Sequence, residues 1–163
     1  MNFGTSLQFD PRKKLKQTIG TPYYIAPEVF YHRYLGKYKA RAIDIWALGP
    51  MLHIMLVGAP PWEKAWIQDQ RFIRAINNKL HMTLSDWGVD SLSEESVDLM
   101  QSIMQARFTL RINKGTEERT FGVSNKRPSL EEILMHPWLL KVRDIIPTHL
   151  RCVLESKRIR EDN

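Results

Sequence analysis

The sequence predicts a mainly α-helical domain, and three observations carry that expectation. Apolar residues recur at helical spacing in several segments that open on capping residues. One run, about residues 40–57, is apolar on nearly all sides, the mark of a helix that belongs inside a fold. No stretch carries a convincing strand pattern, and no internal repeat is visible.

The elements follow in order. Residues 1–20 are polar and basic without sustained period and read as a loop. Pro22 and Pro27 argue against a long helix before Glu28, and a short helix is expected over Glu28–Tyr34. The apolar helix at about residues 40–57 is ended by Gly58 and then Pro60-Pro61. Pro50 inside it removes one backbone hydrogen bond, at a cost of roughly 3 kcal/mol. Ala65–Asn77 reads as an amphipathic helix, and another is expected over Ser93–Met104. There Ser93 caps the start, Glu94 and Glu95 suit the positive first turn, and Val97, Met100, Ile103 and Met104 form the apolar stripe. Residues 107–126, rich in charge, Gly, Thr and Ser, read as a flexible insertion. Ser129-Leu-Glu-Glu132 is a capping box, and Pro137 stops that helix after His136.

Composition narrows the function classes. With 163 residues, 43% hydrophobic and 26% charged, the chain suits one globular domain. The net charge of +6 can attract phosphate-bearing or acidic partners. The basic residues are scattered or sit in short clusters such as Arg12-Lys13-Lys14, with no nucleic-acid motif beside them, so nucleic-acid binding is not expected. The five histidines are dispersed without metal-ligand spacing. Cys152 is the only cysteine, which fits a reducing, intracellular compartment, cytoplasmic or nuclear. No signal-peptide pattern opens the chain, and the apolar run Ala42–Val57 contains Asp44, Pro50 and His53, so no membrane span is expected.

Five motifs stand in a telling order. Asn2-Phe3-Gly4 is followed by Gly20-Thr-Pro-Tyr-Tyr-Ile-Ala-Pro-Glu28, Asp44-Ile-Trp-Ala-Leu-Gly49, Ala59-Pro-Pro-Trp62, and finally Arg127-Pro-Ser with His136-Pro-Trp138. Order and spacing resemble those of eukaryotic-type serine/threonine protein kinases, closest to the calcium/calmodulin-type branch. The resemblance covers roughly residues 1–140 and implies a partial kinase domain made of the activation loop and the helical C-lobe. Residues 141–163 remain as a basic tail.

The resemblance also implies roles. The Thr21 hydroxyl would bond the catalytic aspartate and lysine; read alone, it is an ordinary turn threonine. Tyr23, Tyr24 and Ile25 would face the substrate residue after the acceptor. Glu28 and Arg127 would form a buried ion pair, although Glu28 alone also reads as a first-turn carboxylate on a helix dipole. Asp44, a carboxylate within an apolar helix, would accept backbone hydrogen bonds from the catalytic loop; left unpaired and buried it is costly. Thr18 is a candidate phosphosite or an inert loop threonine.

Three features depart from the family pattern. The 163 residues contain no Gly-rich loop, strand lysine, partner glutamate or catalytic loop, so the nucleotide lobe is absent from them. Asn2 stands where the family has the metal-binding aspartate, and its neutral oxygen suits magnesium less well. Pro50 interrupts the central helix. Met1 falls where the family usually has an apolar residue before the tripeptide, which suggests an internal methionine taken as a start codon or a gene read from too late, rather than a genuinely short gene product.

The expected function is part of a serine/threonine kinase that transfers the ATP γ-phosphate to protein Ser/Thr, with ATP and Mg2+ as cofactors of a full-length parent. This stretch alone is expected to bind neither and to be inactive. The alternative is a non-catalytic, pseudokinase-like interaction module. Leu150, Val153 and Leu154 beside Arg151, Lys157, Arg158 and Arg160 make the tail a basic amphipathic segment that suits a regulatory partner or a solvated helix.

Overall fold

The structure is a computed structural model that describes residues 6, 8, 10, 18–31, 40–113, 116–122 and 127–143. Its described elements are α1 (Pro27–Phe30), α2 (Ala40–Val57), α3 (Gln70–Ile76), α4 (Leu80–Asp86), α5 (Glu94–Ile103), β1 (Arg107–Asn113), β2 (Thr116–Gly122), α6 (Leu130–Leu134) and α7 (Pro137–Arg143). The mainly helical expectation holds.

Local chemistry explains most boundaries. α1 opens with Pro27 at its first position, where the missing N–H costs nothing. It spans only to Phe30, and the rest of the expected Glu28–Tyr34 helix, from residue 32, lies outside the described residues. The helix expected from Ala65 starts five residues later, because Asp69 caps α3 by accepting from the backbone N–H of Arg71 at 2.9 Å. α4 has no such signal: Lys79 precedes it without a side-chain cap, and Asn78 sits at φ +59°, a conformation that asparagine tolerates. α5 follows its Ser93 cap, and α6 begins on the full Ser129–Glu132 capping box.

β1 and β2 correct the sequence reading that residues 107–126 hold no strand. The two strands pair antiparallel, Phe108 with Phe121 and Arg111 with Glu118, down to Asn113 with Thr116. The overlooked signal is alternation: Phe108, Leu110 and Ile112 recur at period two, which is strand spacing. Residues 123–126 lie outside the described residues.

α2 is the axis of the packing. It is long and apolar enough to cross a membrane by length and hydropathy alone, yet it buries Trp46, Gly49, Pro50 and His53 against protein. It is not enclosed on all sides as expected, since Met51 is 45% and Met55 68% exposed. On the buried side Trp46 stacks on Trp62 at 5.5 Å between ring centroids, and Phe72 stands edge-on to both. α5 crosses α2 at Gly49, where an added Cβ would collide with the Met104 side chain and lie 3.2 Å from Ile103 Cγ2. Leu99, Ile103 and Ile133 then join α5 to α6, with Leu48 and Trp138 packed against them. His53 is fully buried; its Nδ1 bonds the Ala59 carbonyl at 2.8 Å, and its ring meets the edge of Trp87. Burial lowers its pKa, and the bond to Ala59 opposes that shift.

Candidate functional site

Glu28 and Arg127 are 99 positions apart in the chain, and the fold brings them together. Arg127 Nη1 donates to Glu28 Oε1 at 2.5 Å and Nη2 to Oε2 at 2.8 Å, a bidentate pair. The two side chains are only 4% and 2% exposed. Arg127 has further partners that sequence reasoning missed. Nη1 also donates to the Ala42 carbonyl at 2.7 Å, and Nε to the Gln105 carbonyl at 2.8 Å. Its guanidinium carbon lies 4.7 Å from the centre of the Trp46 ring, a cation–π contact. One side chain thus ties α1, the first turn of α2, and the segment after α5. The two carbonyl acceptors are backbone groups that no residue pattern announces, which is why only the carboxylate was legible.

The pair fixes the segment ahead of it. Gly20 adopts φ +129°, where a side chain is strained. A turn follows in which the Tyr24 N–H donates to the Thr21 carbonyl at 3.0 Å. Thr21 is exposed, Tyr23 is exposed and Tyr24 half-buried, with the two tyrosine rings edge to face at 6.5 Å. Ile25 and Ala26 turn inward and are buried. The Tyr23 carbonyl accepts from Trp62 Nε1 at 3.3 Å, which locks this stretch to the aromatic cluster. Thr18 is exposed, and its hydroxyl donates to the Val29 carbonyl at 3.3 Å. Thr21 and Tyr23 are thus exposed in a segment whose following residues Ile25 and Glu28 are buried, as is Trp62, which bonds the Tyr23 carbonyl.

Asp44 departs from its expected burial. It lies on the outer side of α2 and is exposed, although nearby protein strips enough water to raise its pKa. Asn2 lies outside the described residues. Among the described residues no group of three or more His, Cys, Asp or Glu side chains is arranged to hold a metal ion.

The family model described as "Protein kinase domain" matches residues 1–139. "Calcium-dependent protein kinase 28" of Oryza sativa subsp. japonica is 30% identical over 85% of the chain, and "Calcium-dependent protein kinase 11" of Arabidopsis thaliana is 31% identical over the same share. "Calcium-dependent protein kinase 29" of Arabidopsis thaliana is 31% identical over 99% of it. The matched stretches are 22%, 23% and 26% of those relatives, so the chain spans about a quarter of their length.

Proposed function

This chain belongs to the protein kinase domain family, in the serine/threonine branch that holds the calcium-dependent kinases, and on that premise we propose that it forms the activation-loop end and helical C-lobe of such an enzyme. The partial kinase domain is residues 1–140, and residues 141–163 form the tail. The parent transfers the ATP γ-phosphate to Ser or Thr of protein substrates, with Mg2+ as the metal. This chain's share of the work is positioning: Thr21 supports the catalytic loop, and Tyr23, Tyr24 and Ile25 form the wall beside the acceptor. Glu28 and Arg127 hold that wall to the helices, and Asp44 is the acceptor for backbone hydrogen bonds of the catalytic loop. Thr18 is proposed as a phosphosite on the same loop. The lone Cys152 supports an intracellular site of action, in cytoplasm or nucleus.

The single observation that carries the reading is the bidentate Glu28–Arg127 pair beneath an exposed Thr21–Tyr23 wall. Phosphoryl transfer rests on positioning and charge stabilisation, and the 163 residues contain none of the groups that hold nucleotide phosphates. Residues 1–163 alone are therefore expected to show neither phosphotransfer nor Mg-ATP binding. Calorimetric titration checks this, and a micromolar dissociation constant would overturn it. A second reading, a non-catalytic interaction module, draws on Asn2 in place of the metal-binding aspartate. In a parent that carries the nucleotide lobe, Asn2→Asp should raise magnesium-dependent activity severalfold; a parent inactive with either residue favours the module.

A further inference from the structure

His53 stands one turn before the end of α2 and is 0% exposed, so nothing outside these elements reaches it. A carbonyl oxygen only accepts, so the 2.8 Å bond to Ala59 puts the ring proton on Nδ1. Nε2 of the neutral ring is then a bare acceptor, buried and without a partner among the described residues. The Thr83 hydroxyl of α4, in a residue 1% exposed, is its complement: a buried donor that also lacks a partner. Both side chains adjoin Trp87. Its ring lies 5.8 Å from that of His53 between centroids, and Thr83 sits one turn before it on the same side of α4. Left apart, each orphan bears its full desolvation penalty; joined, both are satisfied.

We propose that His53 is a proton-sensitive clasp: the Thr83 hydroxyl donates to Nε2, directly or across one enclosed water, while Nδ1–H holds the Ala59 carbonyl. The end of α2 is thereby tied to α4 on one side and to the turn at residues 58–62 on the other. That turn leads to Trp62, whose Nε1 donates to the Tyr23 carbonyl at 3.3 Å, so the clasp reaches the exposed tyrosine. A second proton, on Nε2, would make the ring a buried cation. The charged groups on the surrounding elements do not answer it. Arg71 of α3 lies over the Trp87 ring, Asp86 of α4 pairs with Arg74, and Asp98 of α5 pairs with His136. His81 of α4, Glu63 and Lys64 after the turn, and Asp44 on α2 itself are exposed. Burial accordingly lowers the His53 pKa from its ordinary 6.5, against the opposing pull of the Ala59 bond. The folded chain binds fewer protons here than the unfolded one. The clasp's stability is thus complete above 6.5 and is lost as pH falls through the folded value. Its effect on a substrate rests on the role proposed for Tyr23. The contact itself does not, and a failed kinase reading would leave each measurement below standing.

Nitrogen-15 NMR of the full 163-residue chain reads the ring directly. At about pH 7.5 the His53 ring should show a protonated Nδ1 and a bare Nε2. On acidification it should titrate with a midpoint below 6.5, and the Trp62 indole N–H signal should move with the same midpoint. Thr83→Val keeps the shape and deletes the hydroxyl, which can turn to accept from a protonated Nε2, so the His53 midpoint should fall further. His53→Phe should abolish the movement of the Trp62 signal. In urea unfolding at neutral pH the two changes together should shift the midpoint by clearly less than the sum of the single shifts. A protonated Nε2 at neutral pH, a His53 midpoint unmoved by Thr83→Val, strictly additive losses, or a Trp62 signal that still titrates in His53→Phe would each overturn the clasp. Should His53→Phe fail to fold, the midpoint in Thr83→Val decides alone.

Discussion

Arg127 spends its donors on groups from three parts of the chain, and the consequences of its removal can be ordered. Arg127→Ala leaves the Glu28 carboxylate unpaired in a site 2% exposed and also orphans the Ala42 and Gln105 carbonyls. Glu28→Ala leaves the guanidinium those two carbonyls and the Trp46 face. Each change should destabilise by roughly 3–5 kcal/mol, with Arg127→Ala the worse, because an uncompensated buried charge is the dominant cost. The double variant should lose clearly less than the sum. Urea unfolding of the four proteins checks both the order and the coupling; strictly additive losses would contradict the contact. Arg127→Lys should not rescue, since an ammonium cannot span both carboxylate oxygens and two carbonyls in one plane.

At the scale of elements, the tightest constraint is the crossing of α2 and α5 at Gly49. A methyl group there meets Met104, which is fully buried and has no open side to retreat to. Gly49→Ala gains about 1 kcal/mol of helix propensity and loses about 1–3 kcal/mol to overpacking, so a net loss is expected. Adding Met104→Ala should make the Gly49→Ala step neutral or favourable, which chemical denaturation of the three variants reads out. Other elements show what a sequence can reveal. α2, α5 and α6 were legible because their signals are local: an apolar run with a Gly-Pro stop, a Ser93 cap, a Ser129–Glu132 box. α4 was not, since Lys79 offers no cap, and α3 was misjudged because apolar Ala65 and Ile67 continue its period ahead of the Asp69 cap that starts it. The β1–β2 ribbon was lost among the charges of residues 107–126, where composition spoke louder than the period-two spacing of three apolar residues. In the candidate site, the Glu28–Arg127 pairing was legible through family resemblance alone, while the role of Trp46 as its platform needed the three-dimensional crossing.

The whole molecule presents α2 with two unlike faces. One holds Trp46, Gly49, Pro50 and His53 in the core; the other leaves Asp44, Met51 and Met55 exposed. The family resemblance gives Asp44 a job outside these 163 residues, as acceptor for backbone amides of a catalytic loop, and the two settings predict opposite signs for one substitution. In this chain partial desolvation raises the Asp44 pKa above its ordinary 3.8. A carboxyl that is easier to protonate when folded binds more protons in the native state, so stability falls as pH rises through 3.8 toward the folded value, and the loss is complete at neutral pH. Asp44→Asn removes the charge and should make residues 1–163 slightly more stable at pH 7, with the gain vanishing below about pH 4. In a parent that includes the catalytic loop, amide donors stabilise the carboxylate and lower its pKa, so the same change should destabilise at pH 7 and the loss should shrink on acidification. Urea midpoints of both lengths, each measured with and without the Asp44→Asn change at neutral and at acidic pH, decide the matter. A loss of stability in the short chain at pH 7 would mean that Asp44 already has an acceptor's role within it, and the outer face of α2 would then be complete without the rest of a kinase.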